Sequence, residues 1–460
     1  MLPAGAKDRF EDVVGPLGCL DSPEDLKLYA YDGGADRHPP DLVLLPRSAE
    51  DVSAIARIAR ELRIPLVGRG AATGLSGGCV PCHGGVVVAF ARMNRILEID
   101  IENERAIVEP GVVNLDISEA VEGQGYGFAP DPSSRRACTI GGNVAENAGG
   151  AHTPAYGPTA SHVLGLEFVL PGGAIVQTGG QEPDLPGYDL TGLLTGSEGA
   201  LALITKIIVR LVRKPEAVKT ALAIYDSIPD AGRSAAAITA AGIAPAALEL
   251  LDGGLLGIVE EASGAGFPTQ AAAVLLLELE GMREQVEEQV ERIRQVCLLC
   301  GAREFRVART PEERDRLWKG RDDAFGAVGR ASPAYLVPDG VVPRTEIAGM
   351  LEFIGEVSRR YSLAIANAVH AGDGNLQPIV LFDPHRPGDL EKARAAAEEI
   401  LAQSIRLGGS ITGELGVGMA KSGLMARLCS RESLAMMRDL KLLFDPDGIL
   451  NPGKALPAGD

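Results

Sequence analysis

GRGAATGLSGG, residues 68–78, decides how this chain is read: five of its eleven residues are glycine. A short strand is predicted just before it, from Ile64 to Val67. The spacing Gly68-x-Gly70-x-x-x-Gly74 is one residue longer than a dinucleotide fingerprint. No helix follows either, because LSGGCVPCHGG (75–85) is full of helix breakers. A fingerprint loop must open a helix to use its N-terminal dipole. What remains is a nest, in which successive backbone N–H groups converge on a pyrophosphate. Thr73 and Ser76 would add hydroxyl donors. One such block competes with a plain surface loop. Two further glycine-rich blocks, near 141–157 and 196–205, favour a cofactor cradle.

The surroundings suit a folded, mixed chain. SAEDVSAIARIAREL (48–62) predicts a helix capped by Ser48, with Val52, Ile55, Ile58 and Leu62 on one stripe. GVVVAF, RAIVEPG and KIIVRLVRKP read as strands, and NLDISEAVEGQG as a helix. GLEFVLPGGAIVQTG reads as a hairpin. After Pro215 the composition shifts towards alanine, leucine and charge. The strand AAVLLLELEG then precedes a helix over 282–300 with Met282, Val286, Val290, Ile293, Cys297 and Cys300 on one stripe. That mixture predicts a separate α+β domain.

The totals exclude several classes. Glycine supplies 57 of 460 residues, yet 46% of the chain is apolar, which rules out collagen and disorder. A net charge of -18 and 4% aromatics argue against a nucleic-acid partner. No apolar run approaches the ~20 residues that span a bilayer. MLPAGAKDRFEDVV lacks the layout of a signal peptide, so a soluble, cytoplasmic protein is expected. Seven cysteines do not suggest a disulfide framework.

The motif series identifies a family. GRGAATGLSGG, VEPGV (108–112), PDPSSRRACTIGGNVAENAGG (130–150), PGYDLTGLLTGSEG (186–199), WKGRDDAF (318–325), HAGDGNLQP (370–378), GGSITGELGVG (408–418) and FDPDGILNPGK (444–454) run in order. Together they resemble the FAD-linked oxidases of the vanillyl-alcohol-oxidase superfamily. Within it the chain is similar to bacterial glycolate oxidase flavin subunits and to D-lactate and D-2-hydroxyglutarate dehydrogenases.

The resemblance implies an α+β protein in three parts: a two-lobed FAD-binding domain (1–215), a ferredoxin-like cap (216–405) and a C-terminal segment (406–460) returning to the FAD domain. It implies that Arg69, Gly70, Ala71, Ala72, Thr73, Gly74, Leu75 and Ser76 cradle the FAD pyrophosphate. Pro130, Asp131, Ser133, Thr139, Gly141, Gly142, Asn143 and Ala145 would line the flavin. Glu198 and Gly199 belong to the same site, Ile204 lies near the adenosine, and Asn451 approaches the isoalloxazine edge. FAD is expected to be non-covalent.

Oxidising a 2-hydroxy acid needs a cation for the carboxylate, a group to take the hydroxyl proton, and a hydride acceptor. Arg321 matches the family's carboxylate-binding arginine, the plain alternative being an exposed helix arginine. Lys421 is a second candidate, though lysines after such turns commonly meet solvent. Asp373-Gly374 signals a two-residue hairpin. Centred there, it sets His370 directly opposite Gln377, with Cβ atoms ~4.5–5.5 Å apart. In relatives both positions are histidine and, with the glutamate of a Gly-Glu-His-Gly turn, hold a divalent metal. Here Glu414 is present, but Gln377 replaces one ligand and Leu415 stands where relatives carry the histidine base. His152 is a substitute base in the glycine-rich block. Cys297 and Cys300 read as core, and Cys79 and Cys82 lack a redox-motif context.

The resulting expectation is FAD-dependent oxidation of a small 2-hydroxy acid of the glycolate or D-lactate type. Electrons would pass to a partner protein such as an iron–sulfur subunit or an electron-transfer flavoprotein. The alternative is an FAD-binding relay or scaffold subunit that has lost the metal and base.

Overall fold

The helix expected over 48–62 forms as α1, Ala49–Leu62, with Ser48 accepting from the Asp51 backbone N–H. Val52, Ile55, Ala56 and Ala59 are buried, while Ile58 and Leu62 lie at the margin of the stripe. The helix ends on Arg63 in the left-handed region (φ 53°). That turn uses up Ile64 and Pro65, so the next strand starts later than expected, as β1, Leu66–Arg69.

The computed structural model describes residues 2–181 and 186–457 and divides the chain into two units. The first comprises Met1–Ala148, Pro158–Arg213 and Glu414–Asp460. It has two lobes. In one, a four-stranded sheet runs in the order 19–20, 42–44, 86–89, β1, its last three strands parallel. Phe10, Leu44, Ile55, Leu66 and Val88 fill its core. In the other, an antiparallel sheet runs 96–100, 105–108, 203–210, 163–169, 175–179 around Val108, Ile117, Ile140, Phe168 and Ile207. The glycine-rich second block is partly helical: Thr139 caps α2, Ile140–Glu146.

The C-terminal tail is sewn to β1. The Leu66 N–H donates to the Ile449 carbonyl and the Asn451 N–H to the Leu66 carbonyl, both at 2.7 Å. Lys441 Nζ reaches Asp445 (2.6 Å) and the carbonyls of Ala200 (2.6 Å) and Leu450 (2.7 Å).

The second unit comprises Gly149–Gly157 and Lys214–Gly413. β2 (Ala217–Tyr225), β3 (Ala247–Asp252) and β4 (Ala273–Gly281) join 302–307 in an antiparallel arrangement. Numbered along the chain, these four strands lie in the order 4-1-3-2, with helices 228–240 and 283–299 as crossovers. That is the ferredoxin-like pattern. After helix α3 (Pro311–Asp322), strands β5 (Ile365–His370) and β6 (Asn375–Phe382) extend the sheet from β3.

Alternation gives this sheet two unlike faces. On one, Tyr225 meets Cys297 and Ser234 of the crossover helices. Helix 283–299 buries Val286, Ile293 and Cys297, but Met282 precedes it in extended backbone and is exposed, and Cys300 is half-buried. The expected stripe therefore shrinks to its middle. On the other face, Leu222, Ile224, Leu251, Leu276, Ala368 and Ile379 pack with Leu317 and Trp318 of α3. A polar row crosses that second face.

Candidate active site

The row begins with Glu249 on β3. It stands directly opposite His370 on β5, and His370 stands opposite Asn375 on β6. Paired residues in antiparallel strands share a face, so the three side chains form one line. Glu249 Oε1 lies 2.6 Å from His370 Nδ1, and Oε2 accepts from Arg321 Nε of α3, also at 2.6 Å. Arg321 Nη2 is 3.4 Å from His370 Nε2, closing a triangle. Glu249, Arg321 and His370 are 0%, 1% and 2% exposed. Burial alone would raise the Glu249 pKa, but His370 and Arg321 hold it below the ordinary carboxylate range. An ionised carboxylate only accepts, so the imidazole proton is assigned to Nδ1.

Arg321 is thus neither exposed nor alone. The expected pairing of His370 with Gln377 is corrected: the register is His370 with Asn375 and Ala368 with Gln377. The turn holds four residues, 371–374. The Gly374 N–H returns to the His370 carbonyl at 3.0 Å, and the Asn375 N–H bonds Asp373 Oδ1 at 3.1 Å. Gly374 is left-handed (φ 86°), and a Cβ there would meet the Val342 carbonyl at 2.1 Å. Gln377 is therefore one diagonal step from His370, roughly 7–8 Å between such positions.

These residues do not fit a zinc-like metal. A guanidinium stands at 3.4 Å from His370 Nε2, and Gln377 brings only a neutral amide. Glu414 belongs to the first unit.

His152 is not solvent-facing. Its Nε2 lies 3.3 Å from Glu278 Oε1 on β4, and its ring centroid is 5.5 Å from that of Trp318. Glu278 also accepts from Arg314 (2.9 and 3.0 Å), Trp318 Nε1 (2.6 Å) and Thr220 Oγ1 (2.5 Å). Burial opposes its ionisation, but these donors bring its pKa down to about 2. Glu280, beside it, accepts from Tyr156. Glu278, so engaged, has no oxygen left for a cation. Helix α3 thus sends Arg314 to one buried glutamate and Arg321, two turns on, to another. Sequence reasoning missed both glutamates, although each interrupts an otherwise apolar strand.

In the first unit, residues 71–75 follow β1 as an open loop. Among the described residues, the backbone N–H groups of Ala71, Ala72, Thr73, Gly74 and Leu75 meet no protein acceptor. Ala72 is left-handed (φ 56°) within it. Five unspent donors in such a loop fit a pyrophosphate. Gly70 abuts Thr139, where a Cβ would fall 2.2 Å from Oγ1, so the first two glycine blocks meet. Asn143 is held by Asn114 (2.9 Å), whose amide also bonds the Pro130 carbonyl. Two side chains of the expected cradle are engaged within the protein. The Arg69 guanidinium is taken up by the carbonyls of Leu28 and Tyr31, bracing the strand end. The Ser76 hydroxyl donates to the Gly416 carbonyl at 3.1 Å.

The third block joins beneath. The carboxylate of Glu198, itself left-handed (φ 54°), accepts from the Val417 and Gly418 N–H groups, both at 2.7 Å. Asn451 donates to the carbonyls of Gly78 (2.8 Å) and Glu198 (2.6 Å). Glu146 lies against Gly78 and Gly416, and burial with the neighbouring Glu198 carboxylate pushes its pKa up. Lys421 is buried, not solvated, and its charge opposes that rise. Asp131, Ser133, Gly141, Gly142, Ala145, Gly199 and Ile204 belong to the same unit. Cys79 is half-buried, and desolvation pushes its thiol up to about 12.

Residues 214–455 match the family model described as FAD linked oxidases, C-terminal domain, and residues 40–179 match the FAD binding domain model. The chain belongs to the FAD-linked oxidase family. It is 44% identical over 448 residues to glycolate oxidase subunit GlcD of Escherichia coli (strain K12), covering 97% of this chain and 90% of that one. Against GlcD of Bacillus subtilis (strain 168) identity is 43% over 456 residues, covering 99% and 97%. D-lactate dehydrogenase of Anaerostipes hadrus is 32% identical over 424 residues, covering 90% and 89%. Among solved structures, p-cresol methylhydroxylase with substrate bound superposes with a TM-score of 0.84 at 19% identity, covering 99% of each chain. The 4-ethylphenol oxidase of Gulosibacter chungangensis gives 0.82 at 20%, with the same coverage. The FAD-linked oxidase described here is thus an oxidoreductase of the vanillyl-alcohol-oxidase fold with FAD as its cofactor. Among its described residues no helix is long and apolar enough to cross a membrane.

Proposed function

We propose that this oxidase oxidises a small 2-hydroxy acid, of the glycolate or D-lactate type, to the 2-oxo acid and passes the electrons to a partner protein. One observation supports the reading above all: a buried guanidinium and an imidazole nitrogen lie 3.4 Å apart, both anchored by one carboxylate. Arg321 binds the substrate carboxylate through its fork. His370 Nε2 takes the hydroxyl proton, and Glu249 stabilises the imidazolium that results. FAD, when bound, accepts the hydride equivalent from the substrate carbon. The substrate thus loses one proton to His370 and one hydride to the cofactor. The relatives named as glycolate oxidase subunits support both the substrate class and a partner chain.

A second reading, an FAD-binding relay without hydroxy-acid turnover, is favoured by Gln377 and Leu415. Anaerobic titration of FAD-loaded protein with a panel of 2-hydroxy acids decides. Bleaching of the flavin by glycolate or D-lactate is expected. An oxidised spectrum unchanged across the panel overturns the proposal in favour of the relay.

A further inference from the structure

The proposed chemistry needs His370 to present a lone pair at Nε2. A lone imidazole in water chooses between two tautomers. Here the choice falls to a neighbour. Glu249 is wholly buried, faces His370 across the sheet, and uses its two oxygens on different partners: Oε1 on Nδ1 of His370, Oε2 on Nε of Arg321. Being ionised, it accepts a hydrogen bond from Nδ1–H, which places the ring proton there and not on Nε2. Arg321 Nη2 stands 3.4 Å from that nitrogen, at the outer edge of hydrogen-bond range. The same carboxylate orients the guanidinium by its Nε edge.

We propose that Glu249 is a positioning residue, which fixes His370 in its Nδ1–H tautomer and aims Arg321 beside it. This rests on the roles given above to Arg321 and His370. Replacing the carboxylate with an amide should invert the arrangement. The Arg321 Nε–H needs an acceptor, so the amide oxygen turns to it and the amide NH2 faces His370. Nδ1 must then accept, and the imidazole proton moves to Nε2, where it opposes Arg321 and cannot receive a substrate proton.

The test uses the full chain loaded with FAD and labelled with 15N-histidine. The chain has six histidines, and His370→Asn identifies the relevant signals. In the unaltered protein His370 should show the Nδ1–H pattern. Glu249→Gln should show the Nε2–H pattern and slow anaerobic flavin reduction by D-lactate or glycolate on the order of 10²–10⁴-fold. Its FAD content should be unchanged. Glu249→Asp, which keeps the charge, should keep the Nδ1–H pattern and recover part of the rate. An Nε2–H pattern in the unaltered protein overturns the proposal. So does a Glu249→Gln variant that retains the original tautomer and rate. Should Glu249→Gln fail to fold, the unaltered protein and Glu249→Asp still decide it. The spectra report on Glu249 even if no hydroxy acid bleaches the flavin, so failure of the wider reading is distinguishable.

Discussion

Glu249 Oε1 and His370 Nδ1 lie 2.6 Å apart across neighbouring antiparallel strands, although 121 residues separate them in the chain. The pair is completed by Arg321, and its members depend on one another electrically. A buried ion pair is a weak source of net stability, but removing one partner leaves an uncompensated charge.

Arg321→Met should therefore cost about 3–5 kcal/mol, because Glu249 is left ionised or must take up a proton in the interior. Arg321→Lys keeps the charge but not the fork. It should fold with full FAD content and reduce its flavin at least tenfold more slowly, on the order of the 1.4 kcal/mol that a factor of ten represents. Thermal unfolding and anaerobic stopped-flow spectra read the two effects separately.

Glu278 sets an acid limit. Its folded pKa is about 2, against roughly 4.3 for an unperturbed glutamate. A depressed carboxylate contributes stability that is complete above the unfolded value and lost as pH falls through the folded one. The contribution is on the order of 3 kcal/mol near neutrality, disappearing between about pH 5 and pH 2. Glu278→Gln should be markedly less stable at pH 7, with the gap closing below pH 3. A constant gap across that range would contradict the assignment.

Glu146 behaves in the opposite sense. Burial and Glu198 raise its pKa, so the fold favours the protonated acid. Stability is then lost as pH climbs above the ordinary value of roughly 4.3. Glu146→Gln, neutral at every pH, should melt higher than the unaltered protein at pH 8 and match it near pH 4. Melting curves at those two values suffice.

Lys441 holds the returning tail through three acceptors, one of them the wholly buried Asp445. Lys441→Met strands that carboxylate and should cost about 3–5 kcal/mol. Limited proteolysis should then cut first within the last 20 or so residues, which a closed tail protects.

How far the sequence carries depends on the distance over which a feature is encoded. Ser48, the stripe of α1 and the glycine loop after β1 are local, and each stands where its own residues place it. The hairpin after His370 is local as well, yet its register differs by two. Asp373-Gly374 marks the bend, but Gly374 turns its N–H back to His370 and makes a four-residue loop. Which strands lie side by side is not local at all. The 4-1-3-2 order brings Glu249 to His370, and α3 brings Arg321 to both. One sign was nonetheless present. Glutamate inside ALELLD, and again inside AVLLLELEG, violates the apolar pattern of a covered strand, and such violations concentrate where a fold does something other than pack. Thr139 was a missed local sign too, a cap residue opening what reads as a loop.

The loop of residues 71–75 has main-chain N–H groups to offer a cofactor, while the guanidinium of Arg69, two residues before it, is committed to carbonyls. Main-chain donors follow the backbone path and not the identity of side chains. No single side-chain replacement within the loop, proline apart, deletes one of them, and because they carry dipoles and not charges, salt has little to screen. The proposed reactivity is built the other way, from three side chains, any one of which a point mutation removes. On that proposal, point mutation should erode turnover before it loosens the flavin.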